Sequence, residues 1–143
     1  MKQALIAAAV ALFSAIALAQ QPSAGMETRG IKALSDQQIG DRGMGLALAA
    51  ELNGYPGPSH AIELADKLGL SADQIAKLQQ QFSAMKAETI PIGTQLIAQE
   101  RSLNDQFAGK TITLASLETE TRQIGETQAK LRAAHLKYHL STV

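Results

Sequence analysis

Three histidines carry the metal-binding chemistry of this sequence. His135 and His139 are four residues apart in HLKYH, so on a helix their imidazoles lie one turn apart on one face. Such a pair can chelate a divalent transition metal such as Zn, Cu, Ni or Co. His60 and Glu63, three residues apart, would supply further ligands from an earlier helix. The alternative is structural: His135 is a half-buried polar residue on a helix seam, and His60 and His139 are solvated.

Catalytic chemistry has little support in the sequence. The histidine pair reads H-x-x-x-H and lacks the glutamate of the zinc-protease helix H-E-x-x-H, so hydrolysis is not implied. There is no cysteine to act as a thiol nucleophile, and no G-x-S-x-G, phosphate loop or nicotinamide fingerprint. We therefore expect a protein that is not an enzyme and that requires no cofactor.

A stripe of apolar residues forms a second candidate site. Between Ile75 and Phe107 large apolar side chains recur at helical spacing, while the last helix carries the polar seam residues Thr121, Gln128 and His135. A seam this polar leaves the stripe partly exposed, and a flexible methionine suits an adaptable binding surface. The alternative is that the stripe is ordinary core. The residues predicted to contact a client are Phe82, Met85, Leu96, Leu103 and Phe107.

Two capping boxes predict where helices begin. The motif L-S-x-x-Q occurs at residues 34–38 and 70–74, and in each the serine and the glutamine exchange bonds with free backbone N–H groups. The first opens a helix that reaches Leu52, weakened by three glycines, and the second opens a long helix. Between them, Ser59 caps a short helix from His60 to Leu68, with Gly69 as its stop.

The long helices predict an antiparallel hairpin. The helix after Ser71 contains Pro91, where we expect a kink. Residues 108–110 break the pattern, and Thr111 or Thr113 caps the last helix. A short break between two long helices favours an antiparallel arrangement. The predicted fold class is all-α: a helical hairpin with a Pro-kinked long helix and one or two shorter N-terminal helices folded against it.

The N-terminus predicts export. Lys2 precedes an uncharged apolar stretch, and Ala17 to Ala19 form an A-x-A cleavage signal. We therefore expect residues 1–19 to be a cleavable signal peptide, 20–33 a flexible leader and 34–143 one helical domain, located in the periplasm. An uncleaved anchor is disfavoured because the run is shorter than the about 20 residues that span a bilayer.

The charge balance excludes nucleic acid as a partner. The chain has 13 Lys and Arg against 13 Asp and Glu, and Lys2 is the only charged residue of the predicted signal peptide. The exported protein therefore has a net charge of about −1, whereas nucleic-acid binding calls for a strongly basic face.

Together these motifs resemble the Spy/CpxP family of periplasmic proteins, which carry LTxxQ motifs. The two L-S-x-x-Q motifs on an exported, cysteine-free helical chain carry the resemblance, and residues 44–58, MGLALAAELNGYPGP, look like one branch of that family. The resemblance covers roughly residue 31 to the end. It implies an ATP-independent chaperone or envelope-stress adaptor: a curved homodimer that binds unfolded envelope proteins and works with a membrane-bound sensor.

A related branch of that family contains periplasmic heavy-metal sensors, which bind metal through His, Glu and Met on their helices. These relatives combine ligands from an early helix with a pair one turn apart late in the chain. Where they use methionine as the late partner, this chain has His139. The chaperone is the leading hypothesis. A heavy-metal sensor or metal-resistance protein using His60, Glu63, His135 and His139 is the alternative, and a structural envelope adaptor is a third.

Overall fold

The computed structural model describes residues 26–40 and 47–143, and the predicted signal peptide lies outside them. The described residues form helices and no strand, which confirms the all-α fold class. The chain divides into two units between Lys32 and Ala33. Residues 26–32, in the first unit, form turns. The second unit contains every helix described below.

The helical unit has two long helices preceded by short ones. Its described helices are α1 (Asp36–Gly40), α2 (Leu48–Glu51), α3 (Pro58–Glu63), α4 (Ala65–Leu68), α5 (Ala72–Ala108) and α6 (Leu114–Thr142). Helices α5 and α6 pack along each other, and α3 packs on both. Within the described part of the chain, no helix combines the length and the apolar character needed to cross a membrane.

Both predicted capping boxes are present. Ser35 pairs reciprocally with Gln38, and Ser71 pairs with Gln74 at the start of α5. In each box the serine hydroxyl accepts a bond from the glutamine N–H, and the glutamine side chain accepts one from the serine N–H. These bonds join residues three apart, so the sequence specifies them without help from tertiary packing.

The first predicted helix is wrong in its extent. It was expected to run from Ser35 to Leu52, but Ala47 is not helical and α2 begins only at Leu48. Gly40 is the last residue of α1, Gly43 and Gly45 follow it in the sequence, and each glycine weakens a helix by roughly 1 kcal/mol relative to alanine.

The second predicted helix is divided into α3 and α4 at Leu64. Its N-cap is not Ser59 but Gly57, because Pro58 occupies the first helical position, where its missing N–H is not needed. The predicted stop is confirmed: Gly69 has a left-handed backbone with φ of 63°. A side chain is disfavoured in that conformation, which explains the glycine.

Helices α5 and α6 form the predicted antiparallel hairpin. The side-chain bonds between them, from the turn outward, join Gln106 to Glu120, Glu88 to Lys137 and Gln81 to the Ser141 carbonyl. As the position on α5 moves back along the chain, its partner on α6 moves forward. Thr113 rather than Thr111 caps α6, and Pro91 lies inside an uninterrupted α5.

The seam of α6 differs from the predicted one at two positions. The positions shared with the prediction are all buried or half-buried: Leu117, Ile124, Leu131, His135 and Tyr138. The predicted members Thr121 and Gln128 are exposed, and the small residues Thr127 and Ala134 are buried instead. Helix α5 likewise buries Thr89 and Gly93. Small side chains let two helices approach closely, which favours this register over the polar one.

Large apolar residues complete the hairpin core. Leu96 on α5 packs with Ile124 and Leu131 on α6, and Ile92 and Leu103 pack against this cluster. Thr89 is fully buried, and its hydroxyl donates to the Met85 carbonyl in the preceding turn at 2.8 Å. That bond satisfies the hydroxyl, so the core is uninterrupted at this position.

Candidate functional site

A cavity of about 540 Å³ lies at the end of the hairpin where α5 begins and α6 ends, which we call the open end. Its wall is built from α2, the loop before α3, α3 itself and the two long helices. The side chains in this wall that carry a carboxylate, an imidazole or a thioether are Glu51, His60, Met85, His135 and His139. The fold therefore brings together residues up to 88 positions apart along the chain.

The histidine pair lies in this wall as one turn of α6. The ring centroids of His135 and His139 are 5.1 Å apart, with the ring planes inclined at 57°. Their Nε2 atoms face each other at 3.4 Å. His139 is only 1% exposed, so the alternative in which it is solvated is wrong. His135 is half-buried, as that alternative expects.

A backbone carbonyl in the loop before α3 determines which ring nitrogen of His139 carries the proton. His139 Nδ1 lies 2.8 Å from the backbone carbonyl oxygen of Tyr55. A carbonyl oxygen only accepts hydrogen bonds, so Nδ1 must carry the proton and donate it. In the neutral imidazole the lone pair is then on Nε2, the atom that faces His135. Metal-binding histidines are oriented by this kind of bond to a backbone carbonyl.

Glycines make this approach of the loop to α6 possible. Gly54, after α2, has φ of 84°, in the left-handed region that commonly ends a helix. Gly57 lies against the His139 ring: a Cβ there would be 3.0 Å from Cε1 and 3.2 Å from Nε2 of the imidazole. Any side chain at residue 57 would therefore displace the ring or the loop.

His60 reaches the same cavity from α3, but with a different carboxylate from the predicted one. His60 Nδ1 lies 3.0 Å from Oε1 of Glu51, at the end of α2. The predicted partner Glu63 is exposed and does not line the cavity. Sequence spacing missed Glu51 because the eight residues that separate it from His60 include a turn. Only the fold of that turn brings the two side chains together.

These groups are not arranged as a ready-made site. Among residues 26–40 and 47–143, no three His, Asp or Glu side chains are grouped closely enough to hold a metal ion as they stand. The histidine pair supplies two nitrogens, and His60 is bonded to Glu51 instead. The His60 side chain is 51% exposed.

The apolar stripe on α5 is mostly core. Met85 and Leu96 are 5% and 7% exposed, which leaves them no free surface for a client. Phe82 and Leu103 are half-buried, and Lys86 lies over the Phe82 ring at 4.5 Å. Of the five predicted client-contact residues, Phe107 alone is mainly exposed, at 54%. The burial of small residues in the seam explains this, because it closes the helices on each other.

An ion pair bridges the long helices beside the cavity. Lys137 and the Tyr138 hydroxyl on α6 both donate to the Glu88 carboxylate, at 2.7 and 2.9 Å. The bond from Lys137, and then that from Tyr138, lowers the pKa of Glu88. The same bonds to Glu88 raise the pKa of Lys137 and of Tyr138. On the same α5 helix, burial raises the pKa of Glu100.

Comparisons of the chain with models of protein families, with curated proteins and with solved structures find no match. The geometry of the site therefore carries the functional proposal.

Proposed function

We propose that this protein is a periplasmic heavy-metal sensor or metal-resistance protein that binds a transition-metal ion at the open end of the hairpin. The observation that carries the proposal is the 3.4 Å separation between Nε2 of His135 and Nε2 of His139. Two nitrogen ligands at about 2.0–2.1 Å from one tetrahedral metal ion are themselves about 3.3–3.4 Å apart. The pair is therefore spaced for a shared ion without backbone movement.

The remaining ligands follow from the cavity wall. The bond to Tyr55 leaves the lone pair of neutral His139 on Nε2, beside His135. His60 is the third ligand, reached by rotating an exposed side chain, and such rotamer changes are common on binding. Glu51 replaces Glu63 as the carboxylate of the set because it lies in the same wall. The metal is the signal or cargo in this proposal, and the protein performs no catalysis.

Sensing follows from the elements that supply the ligands. Glu51 is on α2, His60 on α3 and the histidine pair on α6. An ion bound by all three elements adds its binding free energy to the arrangement that brings them together. Occupancy then changes the stability of the short helices against the hairpin, a change that a membrane-bound partner can detect. The predicted signal peptide and the Spy/CpxP resemblance support the periplasm as the place where this happens.

Isothermal titration of the metal-free protein, purified from the periplasm, tests the proposal. Zn²⁺, Cu²⁺, Ni²⁺ and Co²⁺ are titrated separately into the native chain and into His135→Ala, whose half-buried side chain can be removed with less disturbance than His139. We expect binding at micromolar or tighter affinity for at least one ion, weakened about 100-fold or more in the variant. Absence of binding by all four ions, with the protein folded by circular dichroism, would sink the proposal.

Two glutamates provide a matched control. Glu51→Gln removes the carboxylate in the cavity wall, whereas Glu63→Gln makes the same change on the exposed face of α3. We expect the first to weaken metal binding about tenfold or more and the second to leave it unchanged. The reverse order would return the ligand set to the sequence-predicted one and remove Glu51 from the site.

A chaperone or envelope-stress adaptor is the second candidate, and exposed leucines favour it. Four leucines on and beside the short helices are largely solvent-accessible: Leu48 at 60%, Leu52 at 81%, Leu64 at 43% and Leu68 at 57%. Weak, ATP-independent binding of unfolded envelope proteins would use this surface rather than the buried stripe on α5. Homodimer formation across it, which the resemblance implies, belongs to the same candidate.

The client assay separates the two functions. Aggregation of a reduced, unfolding client is followed by light scattering with the native chain, with Leu48→Ser/Leu52→Ser and with Leu140→Ser. Leu140 is 68% exposed on α6 and serves as the control leucine. Suppression that the double variant loses and the control keeps would support the chaperone. No suppression at several-fold molar excess would remove it.

A further inference from the structure

We propose that Met85 is a thioether ligand of the cavity and gives the site a preference for Cu(I); this rests on the metal site proposed above. Met85 lines the same wall as His60, His135 and His139, yet it comes from α5, which supplies none of the other ligands. Neither sequence spacing nor the histidine pair points to it, because it is 50 residues away from His135.

Burial sets the kind of ion that this wall favours. Met85 is 5% exposed and His139 is 1% exposed, so the inner part of the cavity is poorly solvated. Placing an ion there costs less when its charge is small, because the desolvation penalty rises steeply with charge. The inner donors, two imidazoles and a thioether, are neutral. Nothing in this donor set offsets a second positive charge, whereas the more exposed side chains of the wall, Glu51 at 27% and His60 at 51%, include a carboxylate.

The donor chemistry points to the same ion. A thioether is a soft ligand that selects Cu(I) over the harder divalent ions, whereas imidazole binds Zn, Cu, Ni and Co alike. Cu(I) also accepts three-coordinate sites, so His135, His139 and Met85 suffice without rotation of His60. Divalent ions, which need more donors, would draw on His60 and Glu51 as well. The same cavity thus offers two sets of donors: a soft set of His135, His139 and Met85, and a harder set that also includes His60 and Glu51.

Methionine also fills core space, so the test must separate binding from packing. Met85→Leu conserves volume and is expected to cost less than about 1.5 kcal/mol of stability. Met26→Leu is the control, because Met26 is 38% exposed and lies outside the helical unit. Circular dichroism establishes that both variants remain helical before any metal is added.

The experiment compares Cu(I) and Zn²⁺ binding by the native chain and the two variants. Cu(I) is supplied anaerobically and its affinity is measured by competition with a chromophoric chelator, while X-ray absorption reports copper–sulfur scattering. We expect sulfur scattering in the native chain and in Met26→Leu and none in Met85→Leu. Met85→Leu should lose at least about tenfold in Cu(I) affinity and less than about twofold in Zn²⁺ affinity.

The failures of the two proposals are distinguishable. If both ions bind but Met85→Leu changes neither affinity and no sulfur scattering is present, Met85 is core only, and the histidine site stands without it. A parallel loss of Cu(I) and Zn²⁺ affinity would mean that the substitution distorts the cavity, which also overturns a selective ligand role. If neither ion binds the native chain, the metal function and this inference are both overturned.

Discussion

The two ends of the hairpin satisfy their polar groups in different ways. At the closed end, near the turn at residues 109–113, Glu120 Oε1 accepts bonds from Gln106 at 2.8 Å and from Ser102 at 3.1 Å. At the open end, Nε2 of His139 lies 3.4 Å from Nε2 of His135, a longer contact than the 2.8 Å bond between Gln106 and Glu120. The open end also joins the two helices, through Gln81 and the Ser141 carbonyl, but in addition it places two imidazoles in the wall of a cavity.

The way in which the open-end histidines are oriented indicates that this end carries the function. The closed-end bonds arise within the hairpin itself, so they are explained by its stability. The open-end histidines are instead oriented from outside the hairpin, through the Tyr55 carbonyl and the close approach of Gly57. A bond that orients a buried imidazole toward a cavity contributes to binding chemistry beyond what folding requires. Four predictions test whether the two ends are as independent as this comparison implies.

The largest effect is expected from Leu131→Ala, in the core on which both ends depend. Leu131 is 1% exposed and packs with Leu96 and Ile124, so its loss should reduce the free energy of unfolding by about 2–5 kcal/mol. Urea unfolding is followed by circular dichroism, which reports the whole hairpin, and by tyrosine fluorescence. Both tyrosines, Tyr55 and Tyr138, are in elements at the open end, so tyrosine fluorescence reports that end. Because both ends depend on the Leu131 core, the two signals should shift together.

Leu140→Ala is the control for that substitution. Its side chain is 68% exposed on the same helix, and the change should stay within about 0.5 kcal/mol. A fluorescence transition that does not move in Leu131→Ala would mean that the open end is stabilised without the hairpin core.

The next largest effect separates the ends. In Gly57→Ala the new Cβ would meet the His139 ring at 3.0–3.2 Å, which should cost about 1–3 kcal/mol and weaken the bond to Tyr55. We expect the fluorescence transition to move to lower urea concentration by more than the circular dichroism transition does, with metal affinity reduced as well. Coincident shifts in both signals would show that the ends are not independent.

Gly125→Ala is the matched control, because a Cβ there meets nothing within 4 Å. Gly125 lies inside α6, where alanine is favoured over glycine by up to about 1 kcal/mol. The same glycine-to-alanine change should therefore stabilise the hairpin and leave metal binding unchanged.

Local and non-local features of this molecule differ in how well the sequence predicts them. The capping boxes at Ser35 and Ser71 and the stop at Gly69 were predicted correctly, because each depends on residues within four positions. The hairpin was also predicted, since two long periodic helices joined by a short break have few other arrangements. The predicted α6 seam is right at Leu131 and His135 but wrong at Thr121 and Gln128, because small residues on both helices are buried instead.

The site was predicted only as far as helical spacing reaches. Spacing places His135 and His139 together because both are on one helix. Spacing points to Glu63, which is on the same helix as His60. It cannot point to Glu51, because contact between residues on neighbouring short helices depends on the turn at Gly54 and on packing against α6. It also assigned Met85 to a client surface, whereas in the structure Met85 lines the histidine cavity. Tertiary packing supplies each of these distinctions, and single-sequence patterns do not contain it.

A smaller, stabilising effect is expected at the closed end from Lys110→Gly. Lys110 has φ of 53°, a left-handed conformation that costs a residue with a Cβ roughly 1 kcal/mol or more. Glycine relieves that cost, so the circular dichroism transition should move to higher urea concentration by the equivalent of about 1 kcal/mol. Metal affinity at the open end should not change.

Lys130→Gly tests the physical reason. Lys130 is exposed inside α6, where glycine is disfavoured by about 1 kcal/mol. The same substitution should thus destabilise at residue 130 and stabilise at residue 110. Equal effects at both sites would contradict the assignment of strain to the turn.

The smallest effect is expected from Glu88→Gln, which removes the ion pair with Lys137 beside the cavity. The pKa of Glu88 is lowered from its ordinary value of 4.5 by its bonds to Lys137 and Tyr138, so its contribution to stability is present above that value. As the pH falls through the lowered pKa, the carboxylate is protonated and the contribution is lost. The native chain and the variant should therefore differ slightly at neutral pH and converge in acid, measured by thermal unfolding of the metal-free protein.

Glu126→Gln is the control, because Glu126 is an exposed carboxylate on α6. Because the Glu88 side chain is partly exposed to solvent, salt should reduce the difference at neutral pH as well, whereas a packing effect of the substitution would persist in salt and in acid.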